Sequence, residues 1–202
     1  MFIHDCDTGT EEEWRAFLAD HPFGELIAAG RDRDVAVVVP TQFVIAGDEV
    51  LVHLVKANPV WAAIAENPHV VLSVSGDWAF IPSSWKAIGD EDPMLGIPTT
   101  YYASVQLTGT AEVIADPDGV AGVLRTQLAD LQPDVEVVDP REHGGRLRAI
   151  QAMRIRVTEV RSKFKYGGNV DVPHRLAVAE RLEARDAPGD RAAMAHLRRR
   201  LP

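Results

Sequence analysis

The stretch YYASVQLTGTAEVI, residues 101–114, alternates apolar and polar side chains from end to end. Tyr101, Ala103, Val105, Leu107, Ala111 and Val113 make one row, and Tyr102, Ser104, Gln106, Thr108, Thr110 and Glu112 make the other. A period of two places each row on its own face, so this segment is a strand with one face buried. Other β-branched runs surround it: GELIAAG, DVAVVVP, TQFVIAG, DEVLVHLVK and HVVLSVSG, separated by Gly, Asp or Pro. In LRAIQAMRIRVTEVRSKFKY, residues 147–166, Met153, Ile155 and Val157 keep one parity while Val160, Phe164 and Tyr166 keep the other. The slip at Thr158-Glu159 predicts a β-bulge, with Arg161, Lys163 and Lys165 on one face.

Helices are fewer. TEEEWRAFLADHP has Thr10 as N-cap and Glu13 placed for a capping box. NPVWAAIAENP, DPDGVAGVLRTQLADL and two terminal segments split at APG complete the set, with Leu176, Ala179 and Leu182 as the packing stripe of the first terminal one. About seven strands with no βαβ alternation predict a mainly β (α+β) antiparallel barrel with helical additions, folded as one domain over 1–202. The glycines form neither a dinucleotide-binding nor a phosphate-loop pattern.

The formal charge of −9 argues against a protein that works by gripping nucleic acid, whose affinity comes from Lys and Arg neutralising phosphates. Apolar runs of strand length fall far short of the ~20 residues a membrane helix needs, and the acidic opening MFIHDCDTGTEEEW lacks a basic leader, so a cytoplasmic location is expected. The single cysteine, Cys6, excludes an internal disulfide, and no Cys/His cluster has zinc spacing. Charge is uneven, however. Between Gly145 and Tyr166 stand seven basic residues and one acid, and the chain has four lysines, Lys56, Lys86, Lys163 and Lys165.

In VLVHLVKANPVW a strand ends where a helix begins, with Asn58 as a good N-cap and Pro59 suited to the first helical position. Lys56 stands two residues before that cap, a pattern that fits either an anion site beside a helix N-terminus or a strand-end lysine that reaches out to water. His53 shares its strand face with Leu51 and Val55.

The segments HPFGEL, VHLVKANPVW, WAFIPSSWKA, IPTTYYASVQLTGTAEVI and RSKFKYGGN, in this order, resemble the PaiB family of FMN-binding negative transcriptional regulators. The resemblance covers about His21 to Arg181. It implies the FMN-binding split-barrel fold, with the antiparallel split β-barrel at about 21–168 and C-terminal helices at about 173–201. It also implies a homodimer with cofactor sites near the interface and a small-molecule substrate. By this carry-over Lys56 and Asn58 hold an FMN phosphate, Trp85, Pro98, Thr99, Thr100 and Tyr101 lie near the flavin, and Lys163 and Lys165 add positive charge. PTTYY lacks the family's Trp-Asn pair and KYGGN replaces KLSQN, so the ring pocket differs from the family pattern.

The resemblance supports three functions. The first is an FMN-dependent oxidoreductase. The second is a haem b enzyme like the piperazate synthases, which close a ring by N–N bond formation on N5-hydroxyornithine. For a haem His53 is the axial ligand, cofactor contact and metal ligand in one, with His21 and His69 behind it. The third is a transcriptional regulator using the C-terminal helices and Arg198, Arg199 and Arg200. No acid–base pair stands out in the sequence, and no catalytic residue is named.

Overall fold

The computed structural model describes residues 1–87 and 91–201. In chain order the elements are α1 (Glu11–Asp20), β1 (Phe23–Ala28), β2 (Val37–Gln42), β3 (Val44–Ala46), β4 (Glu49–Val55), α2 (Val60–Glu66), β5 (His69–Ile81), β6 (Thr99–Ile114), α3 (Pro117–Leu131), α4 (Gly145–Arg148), β7 (Ile150–Lys165), α5 (Val172–Arg185) and α6 (Asp190–Arg199). The strands join in the order β2-β1-β5-β6-β7-β4-β3. Every registered pair is antiparallel, as the lack of βαβ alternation required.

Two compact units are present. Ala16–Val74 with Gln106–Val160 form one; Met1–Arg15, Ser75–Val105 and Arg161–Pro202 form the other. In the first, β4 pairs β7 from Glu49↔Arg156 to Val55↔Ile150. There α3 contributes Val120, Ala121 and Val123 to a buried cluster with Leu51, Leu147 and Ala152. The helix starts cleanly because Asp116 accepts from the Gly119 N–H at 2.7 Å and Pro117 needs no partner for its own nitrogen.

In the second unit the Thr10–Glu13 capping box is closed from both sides, at 2.9 and 3.2 Å. Arg200 reaches Glu13 at 2.6 Å and the carbonyl oxygens of Cys6 and Thr8. Arg161 donates to the Met1 carbonyl and Lys163 to that of Phe2, so the opening segment is strapped down by residues from position 161 onward. His196 lies 2.7 Å from Asp77 and stacks on Tyr166, whose hydroxyl donates to the Asp77 carbonyl.

Two apolar assignments differ from expectation. Tyr101, Ala103, Val105, Leu107 and Ala111 are buried, but Val113 is exposed at the strand's end. On α5 the buried stripe is Arg175, Val178, Ala179 and Leu182, and Leu176 faces solvent. Arg175 fits the apolar stripe because its guanidinium donates to the Arg200 carbonyl at 2.5 Å while its stem packs. On β7 the buried positions are Ala152, Met153 and Ile155 before Thr158-Glu159 and Ser162, Lys163 and Phe164 after it.

Between α5 and α6, Arg185 grips Asp190 with two hydrogen bonds, 2.8 and 2.5 Å, and Asp190 also accepts from the Ala187 N–H. The carboxylate is 1% exposed. The Arg185 hydrogen bond holds the Asp190 pKa below its ordinary 3.8 against the opposing effect of burial, with the Ala187 N–H adding to the lowering. Asp190→Ala is expected to destabilise the fold by about 2–4 kcal/mol, since breaking a buried pair strands the partner. A carboxylate with a depressed folded pKa contributes stability above its unfolded value and loses it as pH falls through the folded one. The gap between wild type and Asp190→Ala, measured by urea melts, therefore closes as pH drops below about 3.8; a gap independent of pH would sink the assignment.

Candidate functional site

Strand ends and loops of the second unit enclose a pocket of about 470 Å³. Pro98, Thr99 and Tyr101 at the start of β6 line it, with Lys165 at the end of β7, Lys86 and Glu91. The Lys165 ammonium donates to Thr99 Oγ1 at 2.6 Å. Burial pushes the Lys86 ammonium below its ordinary pKa, and the charge of Lys165 pushes it further. Tyr101 is buried, and its hydroxyl oxygen has no hydrogen-bond partner among the described residues. Burial raises that phenol to about 12, so it remains a proton donor. Gly167 makes this packing possible, because a Cβ there would lie 2.5 Å from the Tyr101 oxygen.

Of the residues expected at a cofactor, Pro98, Thr99, Tyr101 and Lys165 are thus brought together. Trp85, Thr100 and Lys163 are not in the lining. Trp85 carries the Arg185 guanidinium 4.7 Å above its ring. Lys163 is 8% exposed, bonded to the Phe2 carbonyl at 3.0 Å and 4.0 Å from Asp7. It anchors the opening segment, and so does Arg161, so two of the three cations on that strand face are in structural use.

In the first unit β4 and the turn after it carry three more candidates. Asn58 Oδ1 accepts from the Val60 N–H at 3.0 Å and the Asn58 carbonyl from Trp61, so α2 begins at Val60 with its first donors already taken. The anion site then rests on side-chain charge. Lys56 is exposed, and its backbone N–H bonds the Ala149 carbonyl at 2.9 Å, which sets Lys56 beside α4 with Arg146 and Arg148. None of these three makes an ion pair among the described residues.

His53 pairs in register with Ala152 and half-faces a cavity of about 250 Å³ lined by Leu124, Leu128 and Leu131 of α3. Its Nδ1 lies 2.6 Å from Gln127 Oε1. Gln127 is itself fixed by donating its Nε2 hydrogen to the Leu51 carbonyl at 3.2 Å, so its oxygen must face the ring. His53 Nδ1 is therefore the donor, and in the neutral ring Nε2 keeps the free lone pair. His21 Nδ1 instead lies 2.8 Å from the Phe17 carbonyl with the ring stacked on Phe17, and His69 is exposed.

Sequence reasoning missed Lys86 and Gln127. Gln127 had a readable signal, a polar residue in the α3 stripe of Val120, Val123 and Leu124. Lys86 had only its motif. No group of three or more His, Cys, Asp or Glu among the described residues is placed to hold a metal ion, and no helix there is long and apolar enough to cross a membrane. On the C-terminal helices Arg198 pairs with Glu183 and Arg200 with Glu13, so both are engaged within the protein.

Comparison with known proteins follows the same lines. The chain is 23% identical over 189 residues to the protease synthase and sporulation protein PAI 2 of Bacillus subtilis (strain 168), covering 90% of this chain and 87% of that one. Among solved structures it is similar to the FAD and haem binding protein from Mycobacterium smegmatis, with TM-score 0.62, 21% identity, and 86% and 80% of the two chains covered. The flavocytochrome Anf3 from Azotobacter vinelandii gives TM-score 0.59 and 23% identity over 83% and 73%. These likenesses are of fold, an antiparallel split barrel with helices. A family model described as "Putative FMN-binding domain" matches residues 1–159, and the chain belongs to that family.

Proposed function

We propose that this protein binds FMN noncovalently and works as an oxidoreductase on a small molecule. The observation that carries the reading is Lys56, an exposed lysine just past the end of β4 that makes no ion pair among the described residues. Its backbone N–H bonds the Ala149 carbonyl next to α4, whose Arg146 and Arg148 are also without an ion pair there, so positive charge that a phosphate could use is left unneutralised. Asn58 contributes indirectly, since its bond to the Val60 N–H fixes the turn that presents Lys56. Bound FMN would supply hydride and electron transfer, and the protein would supply its orientation. The test is the visible spectrum of the purified protein reconstituted with FMN. A two-band flavin absorbance at one FMN per chain is expected, in a species that sediments as two chains; a colourless monomer after reconstitution would overturn the reading.

A second reading has its own observation. His53 presents an imidazole lone pair at a cavity lined by three leucines and by Gln42, Gln127 and Gln132, with Gln127 fixing the tautomer as outer-shell partners of metal-bound histidines do. That donor set fits a haem b iron, and an enzyme like the piperazate synthases would use it. A Soret band in place of flavin bands supports this alternative.

A further inference from the structure

The pocket beside Tyr101 holds more unused donors than its own residues can satisfy. Lys165 gives one hydrogen to Thr99 Oγ1, which leaves the Thr99 hydroxyl hydrogen and the rest of that ammonium free to donate. Lys86 brings a second ammonium. Tyr101, 1% exposed, adds a hydroxyl with no partner among the described residues. A buried hydroxyl left unpaired is destabilising, and such groups call for an explanation in a native fold. Three independent features therefore converge on a missing acceptor. Among the described residues Glu91 is the one acid in the lining against two lysines, a balance that suits a single negative charge better than a double one. The remaining wall includes Leu95, Ile97 and Val170, which suit an apolar body.

We propose that this pocket binds a small organic carboxylate, its head received by Lys86, Lys165 and the Tyr101 hydroxyl and its body by the apolar wall. Lys86 is then a specificity-determining residue that none of the family motifs assigns. The proposal rests on this pocket's own residues and not on Lys56, so it stands whether or not the flavin reading does.

Benzoate and inorganic phosphate, titrated by calorimetry into the full chain with and without FMN, test the proposal. Benzoate is expected to saturate and to bind at least tenfold tighter than phosphate. Lys86→Met should weaken benzoate at least tenfold. Tyr101→Phe should weaken it severalfold while leaving the melting temperature unchanged or higher, because it deletes an unsatisfied group. Flavin absorbance should be the same in Lys86→Met as in the wild type. Absence of saturable benzoate binding, tighter phosphate, or unchanged benzoate affinity in Lys86→Met overturns the proposal. Joint loss of benzoate and FMN in both variants overturns it as well, since the pocket would then be the flavin's own. A wild type that takes benzoate but no FMN refutes the flavin reading and leaves this one intact.

Discussion

Lys56→Ala is expected to weaken FMN binding ten- to hundredfold, and Lys56→Glu by more. A hydrogen bond to a charged group is worth about 1.5–3 kcal/mol, and each 1.4 kcal/mol is a factor of ten. The glutamate variant adds repulsion between its carboxylate and the phosphate. Neither change should alter the melting temperature of the cofactor-free protein, since Lys56 is exposed and makes no ion pair among the described residues. Lys56→Arg should keep most of the affinity because it keeps the charge. Fluorescence quenching of FMN during titration reads all three. Equal affinities for wild type and Lys56→Ala would return Lys56 to a solvated strand-end lysine and remove the main support for the flavin reading.

If the protein carries haem, His53→Ala should abolish haem binding or shift the Soret band. Gln127→Leu should weaken haem affinity ten- to hundredfold, the usual cost of losing an outer-shell partner. Were FMN the cofactor, His53→Ala would instead cost about 1 kcal/mol of stability, one hydrogen bond to Gln127, and leave the flavin in place. An unaltered Soret band in His53→Ala would place the ligand elsewhere. The pair of variants is informative because Gln127 bonds Nδ1 and leaves Nε2, the nitrogen that would meet iron, untouched.

Most of the fold was readable from local pattern. The alternation in residues 101–114 gave β6 and its buried face, and the turn and cap residues set the helix starts to within a residue. Reading failed where burial and polarity part company. Leu176 looked like core and is exposed, whereas Arg175 beside it is buried because an arginine can pack its stem and still donate to a carbonyl. Lys163 looked like cofactor charge, and only the Phe2 carbonyl, 161 positions away, explains why it is not. The Lys86–Lys165 pocket was hidden for the same reason: charges far apart in sequence meet only through the fold. The Lys56 site was legible as charge and position, but the sequence did not show that Asn58 would consume the helix donors.

The strap on the opening segment bears on how the protein is made. Arg200 is the residue that ties Glu13, Cys6 and Thr8, and Arg161 and Lys163 hold Met1 and Phe2. A ribosome adds roughly 5–20 residues per second, so residues 1–13 leave the exit tunnel several seconds before any of these partners exists. The unit ending at Val160 has all its residues earlier than the one that needs Arg161 onward. Vectorial synthesis therefore favours folding the His53 unit first, while residues 1–13 wait as an acidic, solvated segment for Arg161, Lys163 and Arg200.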